Sequence, residues 1–134
     1  QQAVFLLIDL DNFKNLNDSL GHLAGDQALV DVANVLKNSF CDDAIISRFG
    51  GDEFVVFVKN IQDIKLFNRL ISRLLQQLDL YYQSEKDQIN IQASIGIALA
   101  PIDGRDMNTL YLKADKALYQ AKEGGKNRYK YYNN

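Results

Sequence analysis

The sequence predicts an α/β (α+β) sandwich, in which a central, mainly antiparallel sheet of five strands is flanked by helices. Three observations support this fold class. Short apolar runs of strand length alternate with longer segments whose apolar residues recur at helical spacing. Two adjacent glycines, Gly50 and Gly51, separate two apolar runs and predict a β-hairpin. The 134 residues suit one domain with one core.

The first half of the chain is predicted to contain three strands and two helices. Residues 4–10 form a continuous apolar run, which indicates a strand covered on both faces. Residues 12–20 predict a short helix or helical turn, and the apolar spacing over residues 24–40 predicts a longer helix with one buried face. The two hairpin strands are expected at residues 44–49 and 54–59.

The second half of the chain is predicted to add two strands and two helices. Residues 63–80 repeat the helical pattern, and a polar loop follows at residues 83–88. Residues 89–99 alternate apolar and polar side chains and predict a long strand. Residues 107–123 predict a helix that a glycine pair ends, and residues 129–132 are expected to form a last edge strand.

Composition limits the classes of partner. The formal net charge is −2, so no overall basic field attracts nucleic acid or an anionic membrane, and we expect neither as a direct contact. Cys41 is the only cysteine, which excludes an internal disulfide and a cysteine zinc cluster and favours a cytoplasmic location. A strand is predicted almost at the start of the chain. We therefore expect residues 1–134 to be a single domain, N-terminally truncated and excised from a larger multidomain protein.

Carboxylates occur at two points that a sheet would bring together. Asp9 and Asp11 end the first strand, and Asp52 and Glu53 follow the glycine turn. If the two strands are neighbours, these acids converge, and their repulsion is costly unless a cation neutralises it. Oxygen ligands without His or Cys favour Mg²⁺ or Mn²⁺. The alternatives are that Asp9 and Asp11 only end a strand, and that the turn is solvated with two surface acids.

Two further groups of polar residues have a functional and a structural interpretation. Asn and Asp side chains after the first strand could bind a guanine edge, although the same residue types often cap helices and form turns. Two lysines around the second glycine pair could bind phosphates, or could simply complement the helix dipole. The residues of these groups are Asn17, Asp18, Gly21, His22, Gly25 and Asp26 for the first, and Lys122 and Lys126 for the second.

Taken together, these motifs resemble the GGDEF family of diguanylate cyclases over nearly the whole chain. The matching segments are residues 9–14, 17–22, 25–26, 48–54, 94–98, 114–122 and 125–127. The resemblance implies a fold similar to nucleotide cyclase and polymerase palm domains. It also implies an enzyme that condenses two GTP molecules into cyclic di-GMP and releases pyrophosphate.

The resemblance also implies a role for each matching residue. Asp9, the Leu10 carbonyl and Asp52 would hold Mg²⁺ or Mn²⁺. Glu53 would be a further metal ligand or help to deprotonate the attacking 3′-hydroxyl, so Asp52 and Glu53, with Lys14, form the expected catalytic set. Around guanine, the expected residues are Asn17, Asp26 and His22. Around the phosphates, they are Lys14, Lys122, Lys126 and the backbone at Asn12 and Phe13. Arg48 would support the hairpin or the phosphates.

The expected partner is a second GGDEF domain, because each domain would hold one GTP and the reaction joins two. Many family members carry an inhibitory product site, Arg-x-x-Asp, before the glycine pair. The corresponding residues here are Cys41, Asp42, Asp43 and Ala44, so we expect no product inhibition through that site. The alternative function is a catalytically silent GTP-binding module that regulates an adjacent domain, for example an EAL phosphodiesterase domain.

Overall fold

The computed structural model describes residues 2–40 and 44–133. In chain order the elements are β1 (Gln2–Asp11), α1 (Phe13–Leu20), α2 (His22–Ser39), β2 (Ala44–Arg48), β3 (Glu53–Ile61), α3 (Ile64–Gln77), β4 (Leu80–Gln83), β5 (Gln88–Ala100), α4 (Met107–Glu123) and β6 (Tyr129–Tyr131). This mixed layer arrangement confirms the predicted fold class.

The strands form one sheet in which β1 is central. The order is β2-β3-β1-β5-β4, and β6 pairs with β5. Every pairing is antiparallel except β5 with β6, which is parallel and confirms the predicted edge strand. Because β1 lies between β3 and β5, its end is next to the β2–β3 hairpin.

The sheet has six strands, whereas the sequence predicts five. The additional strand is β4, which occupies residues predicted as the end of a helix and the start of a loop. Helix α3 ends at Gln77, and β4 pairs with the start of β5. Leu78 continues the apolar spacing of α3 and is fully buried, so the apolar pattern does not mark where this helix ends.

The two faces of the sheet bury two separate apolar clusters. Val4, Leu6 and Ile8 point to one face and pack with residues of α1, α2 and α3. Phe5 and Leu7 point to the other face, where Leu110, Ala114 and Leu118 of α4 cover them. The alternation along β1 therefore places Asp9 on the same face as α4.

Helix α4 begins at a capping aspartate. The Asp106 Oδ1 atom accepts a hydrogen bond from the Thr109 backbone N–H at 2.8 Å, and this satisfies one of the free donors of the first turn. None of the helices within residues 2–40 and 44–133 has the length and apolar character needed to cross a bilayer.

Candidate active site

The turn between β2 and β3 holds the acidic pair of the hairpin. The Phe49 N–H donates to the Glu53 carbonyl at 2.7 Å, which closes the turn. Arg48 Nε donates to the Gly50 carbonyl at 3.2 Å, so its guanidinium braces the tip of the hairpin. A further backbone bond, from the Leu10 N–H to the Asp52 carbonyl at 3.1 Å, joins this tip to the end of β1.

Strand pairing brings the two acidic motifs together. Asp9 lies opposite Glu53 in the β1–β3 ladder, and Asp52 precedes Glu53 at the turn. Directly paired residues project to the same face of a sheet. The acids that end the first strand and those that follow the glycine pair therefore meet, as their positions in the sequence predicted.

Asp9 is one of the largely buried acids of this group, with its side chain 15% exposed. Its Oδ2 atom pairs with Nζ of Lys122, in the last turn of α4. Its Oδ1 atom is buried and has no hydrogen-bond partner among residues 2–40 and 44–133. A buried carboxylate oxygen without a partner carries a desolvation cost, and a bound cation would remove that cost.

The charges of the group shift two pKa values. Burial, followed by the negative charge of Asp9, raises the pKa of Asp52 above its ordinary value of 3.8. Burial alone would lower the pKa of Lys122, but the hydrogen bond and charge of Asp9, with the charges of Asp11 and Asp52, outweigh it and raise that pKa. Lys122 is therefore a protonated counter-ion in a site that remains negative.

Asp9 and Asp52 line an open pocket of about 510 Å³, and Glu53 is not among its lining residues. Eight of the residues expected in the site line this pocket, and together they supply carboxylates, backbone groups and three lysines. They are Asp9, Leu10, Asn12, Phe13, Lys14, Asp52, Lys122 and Lys126. Asp11, Asn15 and Asp18 complete the lining. Anionic groups near the lysines and a cation near the acids could thus occupy one space.

Glu53 has a partner that the sequence did not predict. The Tyr111 hydroxyl, from α4, donates to Glu53 Oε1 at 2.8 Å. That hydrogen bond, with burial second, raises the pKa of Tyr111 to about 12. The carboxylate is thus held by α4, on the face of the sheet that Glu53 shares with Asp9. Nothing in the spacing of the sequence pairs Tyr111 with Glu53, because the contact depends on how α4 crosses the sheet.

The residues expected around guanine lie outside the lining of the acidic pocket. Asp26 and Arg48 line a second pocket of about 340 Å³. Its other lining residues are Leu29, Val30, Ala33 and Phe54. The Oδ1 atom of Asn17 lies over Gly25, where an added Cβ would come within 1.8 Å of it, and His22 is exposed at the start of α2. The lining of the second pocket is apolar apart from the charged residues Asp26 and Arg48.

The Asp11 carboxylate is hydrogen-bonded to β5 and to the segment after α4. Both of its carboxylate oxygens accept from Ser94 Oγ at 2.9 Å, and Oδ2 also accepts from the Asn127 N–H at 3.1 Å. Lys126 and Asn127 have φ values of 63° and 49°, in the left-handed region. Asp11 thus holds the segment after α4 in a conformation that brings Lys126 to the pocket.

The residues present fit a divalent cation that is only partly enclosed by protein. Among the described residues no group of three or more His, Cys, Asp or Glu side chains is arranged to hold a metal ion. Asp9 and Asp52 supply two carboxylates, and Leu10 lines the same pocket. Mg²⁺ commonly binds through one or two carboxylates together with substrate phosphates, so the set suits a cation that arrives with a nucleotide.

The residues that bear on product inhibition fall mostly outside the described part of the chain. Of the four residues, Cys41, Asp42 and Asp43 lie outside the described residues. Ala44, the first residue of β2, lies within them. The expected lack of an Arg-x-x-Asp site thus rests on residue identity.

Comparisons with known proteins agree with this fold. Residues 1–128 match the family described as "Diguanylate cyclase, GGDEF domain". The cyclic di-GMP phosphodiesterase PdeR of Escherichia coli is 40% identical over 122 residues, which cover 91% of this chain and 18% of the relative. The bifunctional diguanylate cyclase/cyclic di-GMP phosphodiesterase MucR of Pseudomonas aeruginosa is 38% identical over 127 residues. These residues cover 95% of this chain and 18% of that relative. An X-ray structure of an EAL/GGDEF domain protein from M. capsulatus has a TM-score of 0.88 and 37% identity, covering 100% of this chain and 86% of that one.

A mainly antiparallel sheet with helices on both faces defines a palm-like domain of the nucleotide cyclase type. The chain belongs to the GGDEF domain family of diguanylate cyclases. It spans less than a fifth of the length of the two relatives compared above.

Proposed function

We propose that this domain is a diguanylate cyclase, which condenses two GTP molecules into cyclic di-GMP and releases pyrophosphate. The observation that carries the proposal is the acidic pocket, in which the carboxylates of Asp9 and Asp52 face the same space as Lys14, Lys122 and Lys126. Acids alone would suit many cations, and lysines alone would suit many anions. Both together suit a nucleotide triphosphate with its metal ion.

The lysines would bind and orient the triphosphate. Lys122 lies in the last turn of α4, Lys126 follows that helix, and Lys14 belongs to α1. Backbone N–H groups at Asn12 and Phe13, at the start of α1, would contribute further donors. Such donors stabilise charge that grows on the phosphoryl oxygens during transfer.

The acids would hold the metal ion and the attacking hydroxyl. Asp9, the Leu10 carbonyl and Asp52 would bind Mg²⁺, or Mn²⁺, which would neutralise the developing charge on the phosphates. Glu53 would be a further metal ligand, or would help to deprotonate the attacking 3′-hydroxyl. The raised pKa of Asp52 supports this assignment, because a negative site strained by its own repulsion favours a cation.

Guanine would bind between α1, α2 and the hairpin. Asn17 and Asp26 would read its polar edge, and His22 would line the same region. Asp26 supports this assignment by its place in the second pocket, since a carboxylate can accept from the ring N–H and the exocyclic amine together.

Catalysis would require two loaded domains face to face, since one pocket accommodates one nucleotide and the product contains two. The reaction would then depend on the effective concentration of the second domain. The residues at positions 41–44 support an enzyme that its product does not inhibit through an Arg-x-x-Asp site. We propose a cytoplasmic location, where GTP is available.

A second candidate function is a GTP-binding module that makes no product and regulates an attached domain. It is favoured by the relatives, since PdeR is named as a phosphodiesterase and not as a cyclase, and both relatives are more than five times as long as the matched region. This module would keep the pocket and the guanine contacts but would not release pyrophosphate.

The experiment incubates the full-length protein with GTP and Mg²⁺ and measures cyclic di-GMP and pyrophosphate. Product that disappears in the Asp52→Ala and Glu53→Ala variants, and persists in Asp115→Ala, an exposed acid on α4, would support the cyclase. GTP binding without product at high protein concentration would overturn the cyclase and support the regulatory module. Absence of GTP binding would overturn both.

A further inference from the structure

We infer that Tyr111 is a positioning residue for the reaction: its hydroxyl fixes the orientation of the Glu53 carboxylate beside Asp9. The inference rests on the proposed function, because Glu53 acts on the reacting groups only if the domain is a cyclase. It goes further by assigning a task to a residue outside the recognised motifs.

The hydrogen bond between the two side chains has good geometry. Tyr111 Oη donates to Glu53 Oε1 at 2.8 Å, across two elements that are distant in sequence. This hydrogen bond engages Oε1 and so restricts the rotation of the Glu53 carboxylate. A hydrogen bond to an ionised carboxylate is among the stronger kinds in proteins.

The phenol ring is itself held in place. Phe5 of β1 contacts it edge-on, with ring centroids 6.3 Å apart and an interplanar angle of 79°. Phe49 of the hairpin contacts it at 5.7 Å and 36°. Leu110, the preceding residue of α4, is buried in the apolar cluster between this helix and the sheet, and it anchors the helix at this point. A donor on a fixed ring orients its acceptor better than one on a flexible chain.

Glu53 needs such an anchor because of what lies opposite. Asp9 is its direct partner in the β1–β3 ladder, so two like charges share one face of the sheet. A glutamate side chain with several rotatable bonds would turn away from that charge toward solvent. The Tyr111 hydroxyl counters this movement and keeps the carboxylate beside the acids.

A merely structural role for Tyr111 would predict something different. The ring packs between two aromatic side chains, so its removal would lower stability whatever the hydroxyl does. The Tyr111→Phe substitution keeps the ring and removes only the donor, and so it separates the two roles. Tyr119→Phe is the matched control, because Tyr119 lies on the same helix and is 65% exposed.

The test measures steady-state GTP turnover and thermal unfolding, using the full-length protein. Tyr111→Phe should lower kcat by about tenfold, leave KM for GTP within about twofold, and leave the unfolding temperature nearly unchanged. Tyr119→Phe should match the wild type in all three. An unchanged kcat in Tyr111→Phe would overturn the inference, as would an equal loss in both variants.

Failure of the proposed function is distinguishable from failure of this inference. A wild-type protein that forms no cyclic di-GMP overturns the cyclase. The ¹³C signal of the Glu53 carboxyl then tests the contact, since it should shift in Tyr111→Phe and not in Tyr119→Phe. An unmoved signal in Tyr111→Phe would overturn the positioning role.

Discussion

Asp9 and Asp52 line the same pocket, and burial, followed by the charge of Asp9, raises the pKa of Asp52. This relationship joins the end of β1 to the hairpin tip, two points whose local structure is determined separately by the sequence. Its energetic consequence is that the metal-free site is destabilised by its own charge. The charge that favours binding of a cation therefore lowers the stability of the metal-free folded domain.

Asp52→Asn should raise the unfolding temperature of the metal-free protein, because it removes a partly buried charge that repels Asp9. The folded pKa of Asp52 is raised, so its contribution to stability is present below the unfolded pKa of 3.8 and is lost as pH rises through the folded value. At neutral pH the amide avoids that loss. Thermal unfolding in EDTA, with and without added Mg²⁺, is the measurement.

Added Mg²⁺ should stabilise the wild type and have little effect on Asp52→Asn, since the cation loses a ligand. The control is Asp18→Asn, an exposed acid at the rim of the same pocket. A variant at position 52 that is less stable than the wild type in EDTA would contradict the expected repulsion.

Gly96→Ala should unfold the domain at much lower denaturant concentration. A Cβ at Gly96 would come within 2.0 Å of the Ala114 carbonyl oxygen and 2.5 Å of the Leu118 nitrogen, and neither backbone atom can move without displacing α4. We expect a loss of at least about 3 kcal/mol in urea unfolding. Gly51→Ala, where an added Cβ meets nothing within 4 Å, should change stability by less than about 0.5 kcal/mol; similar losses in the two variants would refute this account.

Asp11→Ala should lower stability and weaken GTP binding together. The substitution leaves the Ser94 hydroxyl and the Asn127 N–H without their acceptor, which costs about 1–3 kcal/mol. The segment that carries Lys126 is then released, so KM for GTP should rise more than kcat falls. Urea unfolding and steady-state kinetics provide the two readouts. Asp115→Ala is the control for loss of an exposed charge, and an unchanged KM in Asp11→Ala would show that the segment holds itself.

Asp106 should make the stability of the domain depend on acid pH. Hydrogen bonds from the Thr109 backbone and side chain lower its pKa below 3.8. Its contribution is therefore present above 3.8 and is lost as pH falls through the lower folded value. Asp106→Ala should be less stable than the wild type at neutral pH and should lose less on acidification.

Asp106→Asn is the matched control for this prediction. Asparagine caps helices as well as aspartate does but does not titrate, so the variant should keep the neutral stability and lose the acid-dependent part. Urea unfolding at neutral and acid pH compares the three proteins. Equal acid sensitivity in all of them would show that Asp106 does not contribute.

Much of the fold follows from local patterns in the sequence. The core of β1 and the glycine turn match the predicted elements, and α4 has the predicted bounds, Met107–Glu123. Strand β4 was missed because Leu78 continues the helical spacing of α3. Its pairing with β5, and the bond from Tyr82 Oη to Asp31 at 2.6 Å, come from tertiary contacts that a periodic pattern does not contain.

The candidate site was predictable in its residue types and only partly in its contacts. The meeting of Asp9 with the hairpin acids follows from two strands being neighbours. The pairing of Lys122 with Asp9, of Tyr111 with Glu53 and of Asp11 with Asn127 depends on the angle at which α4 crosses the sheet. No local rule fixes that angle, and it is determined by packing at Gly96 and along the apolar face of α4.

Helix α4 holds both of the acids that lie opposite each other in the ladder. Tyr111 contacts Glu53 near the start of the helix and Lys122 contacts Asp9 at its end, about three turns later. A single rigid-body displacement of α4 would therefore disturb both carboxylates in the same motion. Helix α4 therefore couples the positions of the Glu53 and Asp9 carboxylates. A domain that displaced this helix would change both positions together, and so would change the activity of the site.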